Sequence, residues 1–391
     1  MPPMSEPGEP EQIRLLRASL RRFVEQEMPR QAAAAWDRDN AFPRDVFARL
    51  AGAGMMALGM PEEYGGTGRD VHGLMAVIEE LSRRSLAVAV PYIMCTCYAG
   101  LNLVESGSER QRAELLPKVV EGSLLFAYGW TEPDTGADLA SVKTRAERQG
   151  DRIVVNGAKR FCSGAGIADY ILTLVNSDRE GARHKNLSFV LVPSQAPGVR
   201  IETIDCMGMK GAATTDVAFT DVAVPAENIL GGPAAWNQAW PQLAGPGMNI
   251  EKLEVAAMAL GIAAAATDDA WAYAQQRTQF GQRIAAFQSI RHKLADMKTR
   301  LHASRLMLDH AAGLAQAGLP CGVETSMAKL FVTEACKEVV LEAQTVLGGY
   351  GYARESSVER NVRDILLMPI IGGSSAIQRN NIVNWLGLPK A

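Results

Sequence analysis

The sequence predicts a mainly α fold with a central β domain, arranged as an N-terminal helical domain, a small β-barrel and a C-terminal four-helix bundle. The spacing of apolar residues changes from a helical period to a period of two near Ser123, and the helical period returns after Gly245-Pro246-Gly247. Hydrophobic residues make up 47% and charged residues 21% of 391 positions, an ordinary balance for a packed chain long enough for two or three domains.

From Gln12 to about Gly122 apolar residues recur at helical spacing. Ala41-Phe42-Pro43 and Met60-Pro61-Glu62-Glu63-Tyr64-Gly65-Gly66 punctuate the breaks, so a first helical domain is expected over 1–122. The runs Arg152 to Gly157, Tyr170 to Val175, Leu187 to Val192 and Asp216 to Phe219 are short, β-rich and separated by turn residues, which predicts the β domain over 123–240. Long helical patterns such as Asp296 to Ala317 and Val323 to Leu347 predict the bundle over 241–391.

Composition sets several classes of function aside. A net charge of −3 gives no electrostatic reason to expect nucleic acid or an anionic membrane as partner, which leaves a small ligand. Cys95, Cys97, Cys162, Cys206, Cys321 and Cys336 are scattered without zinc-site spacing, so no metal is expected and a reducing compartment fits best. The stretch Met1 to Gln12 has neither a signal-peptide core nor the bias of an organelle presequence, so a cytoplasmic location is expected. The run Val255 to Ala266, read as the longest apolar stretch, is too short to span a bilayer, and no membrane insertion is expected. Gly164-Ala165-Gly166-Ile167-Ala168-Asp169 only approaches a dinucleotide fingerprint: it ends in aspartate, and no β-helix alternation surrounds it.

The motifs are more specific. Thr131-Glu132-Pro133-Asp134-Thr135-Gly136-Ala137-Asp138 resembles the T-E-P-x-x-G-S-D signature of acyl-CoA dehydrogenases, at the entry to the β domain. Arg277-Thr278-Gln279-Phe280-Gly281 with Phe287-Gln288, Met327-Ala328-Lys329-Leu330, and Gly348-Gly349-Tyr350-Gly351-Tyr352 through Arg363-Asp364 are similar to that family in the same order, over nearly the whole chain. The resemblance implies FAD as cofactor, an acyl thioester as substrate and an electron-transferring flavoprotein as partner. It also implies a homo-oligomer, a tetramer of paired dimers or a dimer.

By the same resemblance, Tyr128, Trp130, Thr131 and Gly136 would serve the flavin, as would Phe161, in place of a more frequent tryptophan, and Ser163 near its N5. Without the family, Phe161 is a core aromatic and Ser163 a turn residue. Arg277, Phe280 and Gln288 resemble contacts to a neighbouring subunit's FAD, and Gly348 and Gly349 suit close backbone approach to its adenosine half. Thr345, which stands where glutamine is frequent, and Ser374, after the glycines of the C-terminal loop, are expected at the cofactor by the same resemblance. Ala137, which replaces the signature serine, together with Asn249, Lys252 and Gly373, would face the substrate.

The family's chemistry needs a carboxylate to take the α-proton. The usual I-Y-E-G-T stretch is here Ile370-Ile371-Gly372-Gly373-Ser374, so Gly372 replaces the glutamate and keeps only a backbone N–H for the thioester oxygen. Asn249-Ile250-Glu251-Lys252-Leu253 resembles the alternative placement of the base at a helix start, which makes Glu251 the candidate and Glu254 the second. Asn249 could cap that helix, and an acidic first-turn residue is favoured by the dipole alone. The expected reaction is α,β-dehydrogenation of an acyl thioester carried by coenzyme A or an acyl carrier protein. The alternatives are a flavin-binding non-catalytic or partner-dependent subunit, and an enoyl-thioester reductase or oxygen-using flavoenzyme on the same fold. The five histidines fall outside the matched motifs and take no acid-base role.

Overall fold

The computed structural model describes residues 9–389 apart from Ala244 and Pro246, so Pro246 of the second expected breakpoint and the first eight residues lie outside the described residues. Helices α1 (Glu11–Glu27), α2 (Arg30–Asp39), α3 (Arg44–Gly52), α4 (Val71–Ser82), α5 (Leu86–Ile93), α6 (Leu101–Ser106) and α7 (Glu109–Val120) come first. Strands β1 (Phe126–Gly129), β2 (Arg145–Gln149), β3 (Arg152–Ser163), β4 (Tyr170–Asn176), β5 (Leu187–Pro193), β6 (Val199–Thr203) and β7 (Thr214–Pro225) follow. Then come α8 (Ala239–Leu243), α9 (Gly247–Gln276), the hairpin β8 (Thr278–Gln279) and β9 (Gln282–Arg283), α10 (Gln288–Gln316), α11 (Gly322–Leu347), α12 (Ser357–Ile365) and α13 (Ser375–Trp385).

These elements form two compact units that cut across the chain order. One holds the described parts of Met1–Ala35, Val71–Leu86 and Asn249–Ala391; the other holds Trp36–Asp70 and Ala87–Met248. In the helical unit, α1 buries Ile13, Leu20 and Val24 together with Arg17, whose guanidinium lies 2.7 Å from Glu79 on α4. Arg305 of α10 also donates to Glu79. Burial pushes the Glu79 carboxyl up, but the two guanidinium groups outweigh it and hold it well below the usual carboxylate range. Helix α9 is rich in alanine in its middle and carries Gly261 where α4 crosses it closely: a Cβ at Gly261 would overlap the carbonyl oxygen of Glu79.

In the other unit the sheet is a seven-stranded half-barrel in the order β1-β4-β2-β3-β7-β6, with β5 on β4. Strands β4 and β5 are buried on both faces, which explains their continuous apolar runs. Ile171, Val175, Val190 and Val192 join one core with Ile153 and Phe219. Leu172, Leu174, Phe189 and Leu191 join another with Leu103 of α6 and Leu116 of α7. Helix α7 starts on a capping box between Ser108 and Gln111. The longest apolar stretch is Leu86–Ser106 rather than Val255 to Ala266; by length and hydropathy it could cross a membrane, but 78% of its most apolar window is buried, as in a core helix.

Candidate active site

The candidate base sits on α9. That helix begins at Gly247, two residues before Asn249, so Asn249 belongs to the first turn and is not the cap that the sequence alone would allow. Its Oδ1 lies 3.1 Å from Thr325 Oγ1 and 3.4 Å from Lys252 Nζ. Lys252 is buried, with its ammonium 5.9 Å from the Trp385 ring centroid, so Asn249 and Lys252 are engaged inside the helical unit. Glu251 keeps partial exposure, whereas Glu254 is fully buried one turn on. Burial pushes the Glu251 carboxyl up to about 7 against the opposing pull of the Lys252 and Lys329 ammonium groups.

The structure brings Gly372 beside this carboxylate's helix. A Cβ on Gly372 would lie 3.8 Å from Glu251 O and 2.8 Å from Val255 Cγ2, and the backbone has φ +60°. A side chain there would have to displace Val255 and strain the backbone, so the glycine belongs to the way this loop packs on α9. Gln378, fully buried on α13, donates through Nε2 to the carbonyls of Gly372 and Gly373, both at 2.9 Å, and fixes the loop. The Gly372 N–H donates to no group among the described residues. Ser374 caps α13, its Oγ accepting from Ile377 N at 3.4 Å.

Elsewhere in the helical unit, Arg277, Phe280, Phe287, Gly348, Gly349 and Tyr350 line much of a cavity of about 720 Å³. Phe280 is 93% exposed with φ +51°, an unfavourable place for an aromatic with nothing to cover it. The space a Cβ would take at Gly348 and Gly349 is open. Gln288 and Thr345 are not among the lining residues, and the Thr345 hydroxyl donates to Leu341 O at 3.0 Å on its own helix.

In the β unit, Tyr98, Tyr128 and Trp130 stack in series with centroids 4.2 and 4.3 Å apart, and Trp130 Nε1 is buried without a hydrogen-bond partner among the described residues. The Thr131 carbonyl accepts from Arg160 N at 2.8 Å. Phe161 sits in a bulge of β3, between the pairs at Lys159 and Cys162, with φ +60° and 54% exposure. A bulge re-aims a side chain, here out of the core, so Phe161 is not the core aromatic that its sequence context alone suggests. Ser163 is buried opposite Thr214, while Gly136 and Ala137 stand exposed on the signature loop.

The signature holds a further residue whose role only the structure shows. Glu132 is buried, accepts from Lys143 N at 2.6 Å and Thr144 N at 2.8 Å, and lies 2.7 Å from Lys159 Nζ. Its place between Thr131 and Pro133 was the available signal. Each unit carries features that fit FAD: an open glycine cradle beside Arg277 and the exposed Phe280 in the helical one, and the outward-turned Phe161 and an orphaned buried indole N–H in the other.

Sequence profiles for the N-terminal, middle and C-terminal domains of acyl-CoA dehydrogenase match residues 10–123, 127–222 and 240–387. An acyl-CoA dehydrogenase of Bacillus subtilis (strain 168) is 36% identical over 373 residues, 95% of this chain and 97% of that protein. The caffeyl-CoA reductase-Etf complex subunit CarC of Acetobacterium woodii is 33% identical over 379 residues, 96% of this chain and 98% of that protein. The solved butyryl-CoA dehydrogenase of Megasphaera elsdenii superposes with a TM-score of 0.92 at 29% identity, covering 98% of this chain and all of that one. The chain therefore belongs to the acyl-CoA dehydrogenase family, FAD-dependent oxidoreductases that act on the CH–CH bonds of acyl thioesters.

Proposed function

We propose that the protein catalyses α,β-dehydrogenation of an acyl-CoA thioester with Glu251 as the base. The observation that carries this reading is the carboxyl of a half-buried glutamate, pushed up by burial to about 7, on the helix against which the glycine loop packs. A base titrating near neutral pH is ionised often enough to take the α-proton and basic enough to hold it. FAD, when bound, supplies the oxidant that takes the hydride from the β-carbon. The free Gly372 N–H is available to the thioester oxygen as charge develops there. Phe161 and Ser163 would hold the flavin ring, and Arg277, Phe280, Gly348 and Gly349 a pyrophosphate and adenosine. The nearly bare Phe280 supports completion of that cavity by a second subunit, in a homotetramer or dimer. The Etf complex to which CarC belongs supports an electron-transferring flavoprotein as acceptor.

The reverse reaction, enoyl-thioester reduction, is the second reading. CarC is named for a reductase, and a carboxyl half-protonated near neutral pH can give a proton as readily as take one. The test is anaerobic addition of a panel of acyl-CoA thioesters to the purified protein and to Glu251→Gln, each carrying equal FAD, while the flavin band is followed. Bleaching of wild type alone supports the dehydrogenase with Glu251 as base. Equal bleaching transfers the role to Glu254. Reoxidation of the reduced protein by enoyl-CoA, without bleaching by saturated thioesters, selects the reductase.

A further inference from the structure

Lys329 is unused by the reading above. It lies on α11 in the Met327-Ala328-Lys329-Leu330 motif, is fully buried, and its Nζ has no hydrogen-bond partner among the described residues. A buried ammonium without an acceptor is costly, and an apolar residue of similar volume would pack there more stably. A structural role alone therefore leaves it unexplained.

The packing of the helical unit says where it points. Helix α13 runs antiparallel to α11: Ser375 Oγ at its start donates to Glu334 Oε1 at 2.6 Å, and the Trp385 ring at its end fills the space a Cβ would take at Gly322. Gln378, one turn into α13, therefore comes level with the turn of α11 that carries Lys329. The same Gln378 holds Gly372, and Gly372 packs on α9 at Glu251 and Val255. Thr325, one turn before Lys329, meets Asn249 and Lys252 on either side of Glu251. Lys329 and Glu251 thus face one buried region, and each is felt electrostatically by the other.

We propose that Lys329 is a positioning residue for Glu251: its ammonium, presented from α11, holds the carboxylate ionised so that it can take the thioester α-proton. The proposal rests on Glu251 being the base. Burial lowers the Lys329 ammonium to about 8, which leaves it largely charged at neutral pH. The other charged groups around the pair are few. Lys252 flanks Glu251 on α9, where Glu254 follows one turn on; Cys321 faces Lys252. Glu334 faces Lys329 from the same helix but is engaged by Lys337 and Ser375, with Arg379 of α13 beside it. The 371–374 loop carries no ionisable side chain.

The test reads the carboxyl directly, without turnover. Infrared pH titration of the FAD-loaded protein, with Glu251→Gln as the subtracted reference, follows the protonated Glu251 band in wild type, Lys329→Met and Lys329→Arg. The expected result is an upward move of the midpoint by about one pH unit or more in Lys329→Met, reversed in Lys329→Arg. An unmoved midpoint in Lys329→Met overturns the proposal. Should Lys329→Met fail to retain FAD, Lys329→Gln gives the same comparison. The failure of the underlying reading is distinct: if Glu251→Gln still bleaches with the thioester that bleaches wild type, the role assigned to Lys329 falls with that of Glu251, whatever the titration shows.

Discussion

Two buried regions of this protein each place a glutamate near lysine, with opposite results. In the β unit, Glu132 receives two backbone N–H groups and the Lys159 ammonium at hydrogen-bond distance. Burial works to raise its pKa, but Lys159 and these donors outweigh it and lower the carboxyl. In the helical unit, Glu251 accepts no hydrogen bond among the described residues and feels Lys252 and Lys329 only as charges. Burial wins there, and the carboxyl rises to about 7. The closeness of the cation decides the outcome: a lysine bonded to the carboxylate outweighs burial, and lysines acting only from a distance oppose burial without overcoming it. A satisfied carboxylate is a structural pin, and an unsatisfied one is free to exchange a proton.

The comparison breaks most sharply through the two isosteric amides. Glu251→Gln should slow anaerobic flavin bleaching by about 10³-fold or more while leaving the melting temperature close to wild type, because the proposed general base is lost and no bonded partner is abandoned. Glu132→Gln should do the reverse. Leaving Lys159 buried beside a neutral amide is expected to cost about 3 kcal/mol of stability, read by chemical denaturation. Equal loss of activity and stability in both variants would give the two glutamates the same role.

The pH dependences should separate in the same way. Glu132 has a folded pKa below its unfolded value, so its stabilisation is present above the unfolded value near 4.5 and is lost as pH falls through the lower folded value. Glu251 is raised instead, so kcat/KM for dehydrogenation should climb as pH rises through about 7 and level off above it. Gly372→Ala should cost about 1–2 kcal/mol, from a Cβ at positive φ pressed against Val255, and is checked by thermal melting. The smallest effect is expected at Ser374→Ala, about 0.5 kcal/mol for a long cap bond, with FAD retention unchanged if the hydroxyl serves only the helix.

Much of this was legible in advance, for local reasons. The helical period of α10 and α11 and the apolar runs of β4 and β5 are properties of adjacent residues, and all four were located from spacing. Strands β1, β2 and β6 were not: β2 reads Arg145-Ala146-Glu147-Arg148-Gln149, a polar strand with one buried residue, which spacing cannot tell from loop. The bulge that turns Phe161 outward lies in the pairing of β3 with β7 and has no signature within β3 itself.

By itself the sequence determined the order of helical and β segments, the family and its cofactor, and the two glutamates of α9 that could replace the absent base. Those conclusions rest on periodicity and on motifs, which are read along the chain. Only the tertiary structure decided that Glu251 keeps partial exposure while Glu254 is sealed, that Val255 occupies the side-chain space at Gly372, and that Gln378 of α13 holds that loop. The proton affinity of the Glu251 carboxyl depends on burial and on the charge that α11 brings to α9, and both are set by packing between helices distant in sequence.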